Sequence, residues 1–189
     1  MTFPKIITTL IIAIVIQCSA IAQISFTIAT DAIAPVFGGY DVELGLNFKK
    51  HRLAATYGAK DLPDFYNDQS EEFQFNRNYI SLVYSRFFNN DQKRLHAGLD
   101  LAYFLEETAT LLDNDGNTLE ELKRSFGRIG IRVGYIWQPF DGLGLYIEPA
   151  FRVGFIVGDE ENTFSNNTVL EKHGLDVTGP LIRVGWKLL

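Results

Sequence analysis

Cysteine is nearly absent: Cys18 is the only one, and 23–189 contains none. A chain without cysteine beyond its first segment gains nothing from an oxidising compartment, so stability must come from closure, packing or lipid. Long apolar runs are missing as well. The longest, Ile6 to Ile16, is eleven residues interrupted by Thr8 and Thr9. A helical membrane bundle, which needs several stretches of about 20 apolar residues, is therefore excluded. Positive charge is in deficit, with 17 Lys and Arg against 23 Asp and Glu. That balance removes the electrostatic footprint of a nucleic-acid binder. What is present argues for an ordered chain of one domain's length. The 189 residues are 47% hydrophobic, 13% aromatic and 21% charged, with mean hydropathy +0.02, too apolar and too weakly charged for disorder.

Residues 1–22 differ from the rest. Lys5 is followed by the apolar run, and Ala20-Ile21-Ala22 gives the small-x-small pattern of a cleavage site. Eleven residues are too few to cross a hydrocarbon core roughly 30 Å thick as a helix. The pattern predicts a cleaved signal peptide over 1–22 and a mature domain over 23–189, with net charge −7. A lipid anchor on Cys18 is the competing reading, but Gln17 stands where a small residue is required.

Beyond Gln23 the dominant period is two, the period of half-buried strands. Eight segments alternate, led by Ile24, Phe26 and Ile28; Tyr40 to Phe48; Leu53 to Ala59; and Ile80, Leu82 and Tyr84. The others are led by Leu95 to Leu105, Ile129 to Trp137, Leu145 to Phe155, and Ile182 to Leu188. Connections alternate too. Short links at 49–51, 89–92 and 139–142 contrast with long polar stretches at 61–75, 107–124 and 158–176, while the link at 32–39 is shorter and Gly-rich. An even strand count with short turns at one end and long loops at the other predicts an all-β, eight-stranded antiparallel up-and-down transmembrane barrel.

A soluble lipocalin-type barrel has the same period with the faces reversed. Three features favour apolar side chains outward. Gly45, Gly58, Gly98, Gly130, Gly134, Gly144, Gly154 and Gly185 all fall on the polar face, where they make room inside a narrow barrel. That face also carries Asp41, Glu43, Asp100 and Glu148 among Arg52, Arg128, Arg132, Arg152 and Arg183. Both signs on one face suit a charge-paired, plugged lumen and a structural or surface-interaction protein. The alternative is a small-molecule or lipid binder, in the lumen or as a soluble periplasmic lipocalin-like barrel, with a narrow selective pore behind it. Finally, Tyr84, Tyr135, Trp137 and Trp186 mark the short-turn end of the apolar face, and Tyr40, Tyr57 and Tyr103 the other rim. Two aromatic girdles characterise a bilayer-spanning barrel.

With this pattern over 23–189 the chain resembles the small OmpA/OmpX-type outer-membrane barrels and is similar to short barrel proteins of the Bacteroidetes. Its ending, Ile182-x-Val184-x-Trp186-x-Leu188, resembles the C-terminal strand that outer-membrane assembly machinery reads. The resemblance implies a monomer in the outer membrane of a Gram-negative bacterium, in contact with its lipid. Two departures stand out: the chain ends on Leu189 rather than a lipid-facing aromatic, and Pro149 interrupts a strand, where a bulge is expected.

Other candidate sites are few, and no cofactor is implied. Asp113, Asp115 and Asn117 resemble the start of an EF-hand loop, yet Thr118 and Arg124 occupy the glycine and bidentate-glutamate positions. His51, His96 and His173 are spread over both ends of the predicted barrel, so a shared metal centre is not formed. Barrel enzymes that deacylate lipid A pair His with Ser two positions on, but His96 is followed by Ala97 and Gly98, so a non-enzyme is expected. The three long stretches sum to −12 and the rest of 23–189 to +5, a rim that attracts cations or basic partners. Phe65, Tyr66, Phe73 and Phe75 are candidate recognition aromatics there.

Overall fold

The computed structural model describes residues 24–62, 73–90, 92–113, 117–140, 142–159, 162–166, 169–170 and 174–188. The segment 1–22, Phe65, Tyr66, Asp115, His173 and Leu189 lie outside them.

The alternating segments form strands β1 (Ile24–Asp31), β2 (Tyr40–Phe48), β3 (His51–Leu62), β4 (Phe73–Phe87), β5 (Arg94–Leu112), β6 (Thr118–Ile136) and β7 (Leu145–Val157). A two-stranded ribbon, β8 (Asn162–Thr163) and β9 (Val169–Leu170), precedes β10 (Leu175–Leu188). Seven of these long strands pair antiparallel with their sequence neighbours, and β10 returns to β1 through Phe26↔Leu188 and Asp31↔Arg183. The sheet is thus a closed, eight-stranded up-and-down barrel. Closure removes the free edges of the barrel wall, and among the described residues β6 above Gly127 pairs with β5 alone. A 3-10 turn, Ala34–Phe37, fills the first link and ends on Gly38 at φ 67°, in the left-handed region.

The faces lie as the alternation predicts. Ile131, Leu101 and Phe155 point outward and are 51%, 46% and 68% exposed, whereas Arg183, Glu43 and Glu148 point inward with no exposure. Glycines on the inner face accept large neighbours. A Cβ placed on Gly185 would sit 2.4 Å from the Tyr146 ring, and one on Gly58 would sit 2.9 Å from Tyr79. Inside so narrow a barrel a tyrosine fits only where the adjacent strand has no side chain.

Three expectations are corrected. Most of 107–124 is strand: β5 and β6 run on as a hairpin to Leu112 and Thr118, paired well above the Tyr103 level. Phe73 and Phe75 are not surface recognition aromatics. Both continue the inward parity of β4 and are buried against Ala109, Leu111, Phe164 and Leu170, where the ribbon folds over the mouth. The bulge expected at Pro149 lies elsewhere. Around Pro149 the β6–β7 ladder is interrupted between Gly134↔Ala150 and Trp137↔Ile147, without change of register. The register shift falls across the β7–β10 seam between Thr178 and Leu181, where Pro180 lacks a backbone donor.

Since the space beside Gly185 is already occupied by Tyr146, Gly185→Val should destabilise the barrel by about 1–3 kcal/mol through overpacking. Gly174→Ala, where a Cβ meets nothing, should stay within about 0.5 kcal/mol. Urea midpoints of the folded, detergent-held protein measure both.

Candidate functional site: a charge-paired lumen

Alternation along eight strands brings every inward charge predicted from the sequence into one interior. At its centre Glu43 of β2 and Glu148 of β7 face each other across the barrel, bridged by two arginines. Arg52 of β3 lies 2.5 Å from Glu43 and 2.7 Å from Glu148. Arg132 of β6 lies 2.7 Å from Glu43 and also donates to Glu148. Arg183 of β10 joins the group, 2.6 Å from Glu43 and 3.0 Å from Asp41. Hydroxyls complete it: Thr56 donates to Glu43, Tyr79 to Asp41, and Arg52 donates to the Tyr146 oxygen at 3.2 Å. The ring of His96 approaches Glu148 at 3.2 Å and packs edge-on against Phe87.

A second tier lies toward the long-loop end. Asp100 of β5 holds Arg152 at 3.0 Å and Arg128 at 2.9 Å, and Arg128 also reaches Asp176 at 2.5 Å. The Arg152–Asp100 and Arg183–Glu43 contacts are ion pairs whose N–H directions are off the hydrogen-bond line. The third tier was missed by the sequence reading. Glu107 accepts from both Arg77 and Arg124, and Arg124 lies 3.3 Å from Asp159. Phe104 and Phe126, with centroids 4.6 Å apart, pack between the second and third tiers. Arg77 and Arg128 stack over Phe104 at 5.2 and 5.8 Å. Aromatic faces thus solvate guanidinium groups from which water has been removed.

Among the described residues the three tiers join seven arginines to seven carboxylates. Each tier is neutral by itself. Burying a charge without its partner costs several kcal/mol, so neutrality tier by tier is what makes this interior tenable. The short-turn mouth is closed by uncharged groups and one lysine. Gln92 folds in from the β4–β5 turn, donates to the Lys49 carbonyl at 2.8 Å, and receives Ser25 and Lys187.

The acidic-rim expectation is reduced by this arrangement. Glu107, Asp159 and Asp176, counted among the loop acids, are committed to lumen arginines. Asp113 and Asn117 of the EF-hand-like stretch bond to each other and close the β5–β6 hairpin: the Asn117 backbone N–H donates to Asp113 Oδ1 at 2.8 Å. No group of three or more His, Cys, Asp or Glu suited to a metal occurs among the described residues. Glu120, on the same hairpin, anchors the ribbon by accepting from the Ser165 hydroxyl and N–H at 2.5 and 2.9 Å. Those two donors hold its carboxyl below the usual range.

Fold and interior together define a small antiparallel barrel of inverted polarity, charged within and apolar without. No protein-family model matches the chain, and no curated protein matches it. Among solved structures it is similar to Neisserial surface protein A, at 14% identity and TM-score 0.47, covering 88% of this chain and 94% of that one. The barrel assignment rests on this chain's own strand ladder.

Removing one carboxylate from the central tier should be far costlier than a surface change. Glu43→Ala leaves Arg52, Arg132 and Arg183 short of a partner and should lower stability by about 3–5 kcal/mol in urea melts. At the hairpin, the depressed Glu120 carboxyl makes its contact fully effective above the ordinary carboxylate pKa of about 4.3. As pH falls through the depressed value the contact is lost, and the protection of the Ser165 amide should drop, so that its exchange runs faster, closer to the intrinsic rate at that pH. Glu120→Ala should show that faster exchange at neutral pH.

Proposed function

We propose that the chain is an integral protein of the outer membrane of a Gram-negative bacterium, a monomeric barrel with a plugged lumen. On this reading it is exported through 1–22, folded with the outer-membrane assembly machinery, and serves as a structural or surface-interaction protein rather than an enzyme. The observation that carries the proposal is the inversion of polarity. An apolar outer wall bounded by tyrosine and tryptophan girdles would be costly in water and is the natural complement of a bilayer. The interior supports the plug over the pore or binding cavity, because guanidinium and carboxylate groups fill the cross-section at successive heights. At the long-loop end, the β5–β6 hairpin presents Glu121 outward, beside a Glu106 already paired with Lys123 at 2.9 Å, a surface suited to cations or basic partners.

Fractionation tests the first half of this reading. The protein should be recovered in the outer membrane, and its gel mobility after detergent extraction should differ between unheated and boiled samples. Recovery in the soluble periplasm without a shift overturns it. Planar bilayers test the second half. The wild-type protein should give no discrete conductance steps, whereas Glu43→Ala/Glu148→Ala, if it retains the mobility shift, should produce them.

A further inference from the structure

The short-turn end carries the opposite charge to the loops. Lys49, Lys50, Arg86, Lys93, Arg94 and Lys187 gather there, while Asp91 and Asp141 of the same turns in sequence lie outside the described residues. Two of these cations line one cleft of about 440 Å³ between the β2–β3 and β4–β5 turns, together with Phe88, Asn89 and Asn90. Neither Lys50 nor Arg94 is among the cations paired with a described carboxylate.

The two turns are locked to each other. The Phe87 N–H donates to the Lys50 carbonyl at 2.7 Å and the Gln92 amide to the Lys49 carbonyl, while the Phe88 N–H closes the β4–β5 turn on itself through the Leu95 carbonyl at 3.1 Å. Their backbone is also strained. Lys49, Gln92 and Arg94 have φ of 51°, 55° and 67°, and they are the non-glycine residues in the left-handed region among those described. Such strain is held only where the surroundings over-determine it, and it collects at binding sites. Here it sets Arg94 beside Lys50.

We infer that this cleft binds the phosphate of an anionic phospholipid in the leaflet at the short-turn end. The inference rests on the membrane reading above. Charge complementarity supplies the first argument: two guanidinium or ammonium groups and two side-chain amides converge with no described carboxylate among them. Height and polarity supply the second. Tyr84 of the lower girdle bonds His51 at 2.7 Å, beside Lys50, which places the cleft at the headgroup plane. Phe88, 63% exposed at its edge, offers an apolar surface to the glycerol and upper acyl chain, as an interfacial aromatic does. A water-soluble acidic partner would leave that ring unused.

The test uses the full chain, folded in detergent and inserted into phosphatidylcholine vesicles. Short-chain phosphatidylglycerol and phosphatidylcholine are then compared for retention by native mass spectrometry. The wild-type protein should retain phosphatidylglycerol about tenfold more strongly, a difference that a pair of charge-assisted contacts supplies. Lys50→Gln/Arg94→Gln should abolish the preference while keeping the heat-dependent mobility shift, and Lys49→Gln, outside the cleft, should leave it intact. Equal retention of the two lipids, a preference surviving in the double variant, or displacement by an equal concentration of inorganic phosphate would each overturn the lipid site. Failure of the wild-type protein to enter phosphatidylcholine vesicles would instead sink the membrane reading itself.

Discussion

Charge neutrality inside a space without bulk water is the constraint on which the rest of this structure depends. Eight strands enclose a cross-section so narrow that side chains fill it, and here the filling is made of long cationic groups. Seven arginines project inward from β3, β4, β6, β7 and β10. Each can remain there only if a carboxylate reaches it. Four acids, Asp41, Glu43, Asp100 and Glu148, arrive by simple alternation. The remaining three arrive by departures from it. A bulge in β5 between Phe104 and Glu107 swings Glu107 inward. The register shift between Thr178 and Leu181 does the same for Asp176, and the chain beyond β7 folds Asp159 back onto Arg124. Irregularities that look like defects of the sheet are therefore the means by which its interior is balanced.

Glycine placement and aromatic packing follow from the same crowding. Tyr146 and Tyr79 occupy volume vacated on the neighbouring strand by Gly185 and Gly58. Phe104 and Phe126 separate the second tier of ions from the third and lend them π faces. Above them, the apolar cluster around Phe73, Phe75, Phe164 and Leu170 closes the upper mouth. Ions, aromatics and an apolar lid succeed one another along the axis.

How far the sequence could be read was set by where its period of two holds. Across the central belt, parity assigned Arg52, Arg132, Glu148 and Arg183 to the inside, and they are there. Parity extended along β4 from Tyr79 through Arg77 would have taken Phe75 and Phe73 inward too. Their place in an acidic, polar stretch has the composition of a loop, and there parity is the better guide than composition. Glu107 is different. Counted in twos from Leu105 it belongs outside, and nothing local marks the bulge that reverses it. The proline at 149 was a clear mark, yet the shift occurred one strand away, because the cost of a missing donor depends on which neighbour the residue faces. Tertiary context, invisible in one strand's sequence, decides such cases.

The ladder between β1 and β10 has a further consequence, for how the molecule comes to exist. Arg183 finds Asp41 across 142 positions of chain, and Arg132 finds Glu43 across 89. Hairpins formed from neighbouring strands satisfy their own backbones and some inward ion pairs, such as Arg52–Glu43 and Arg128–Asp100, but Arg183 and Asp41, like Arg132 and Glu43, meet only when the ring closes. Contacts of such long sequence separation are reached late and slowly. An open sheet would keep its adjacent-strand ion pairs but lack the cross-barrel ones. Closing the seam therefore also completes the cross-barrel part of the ion network.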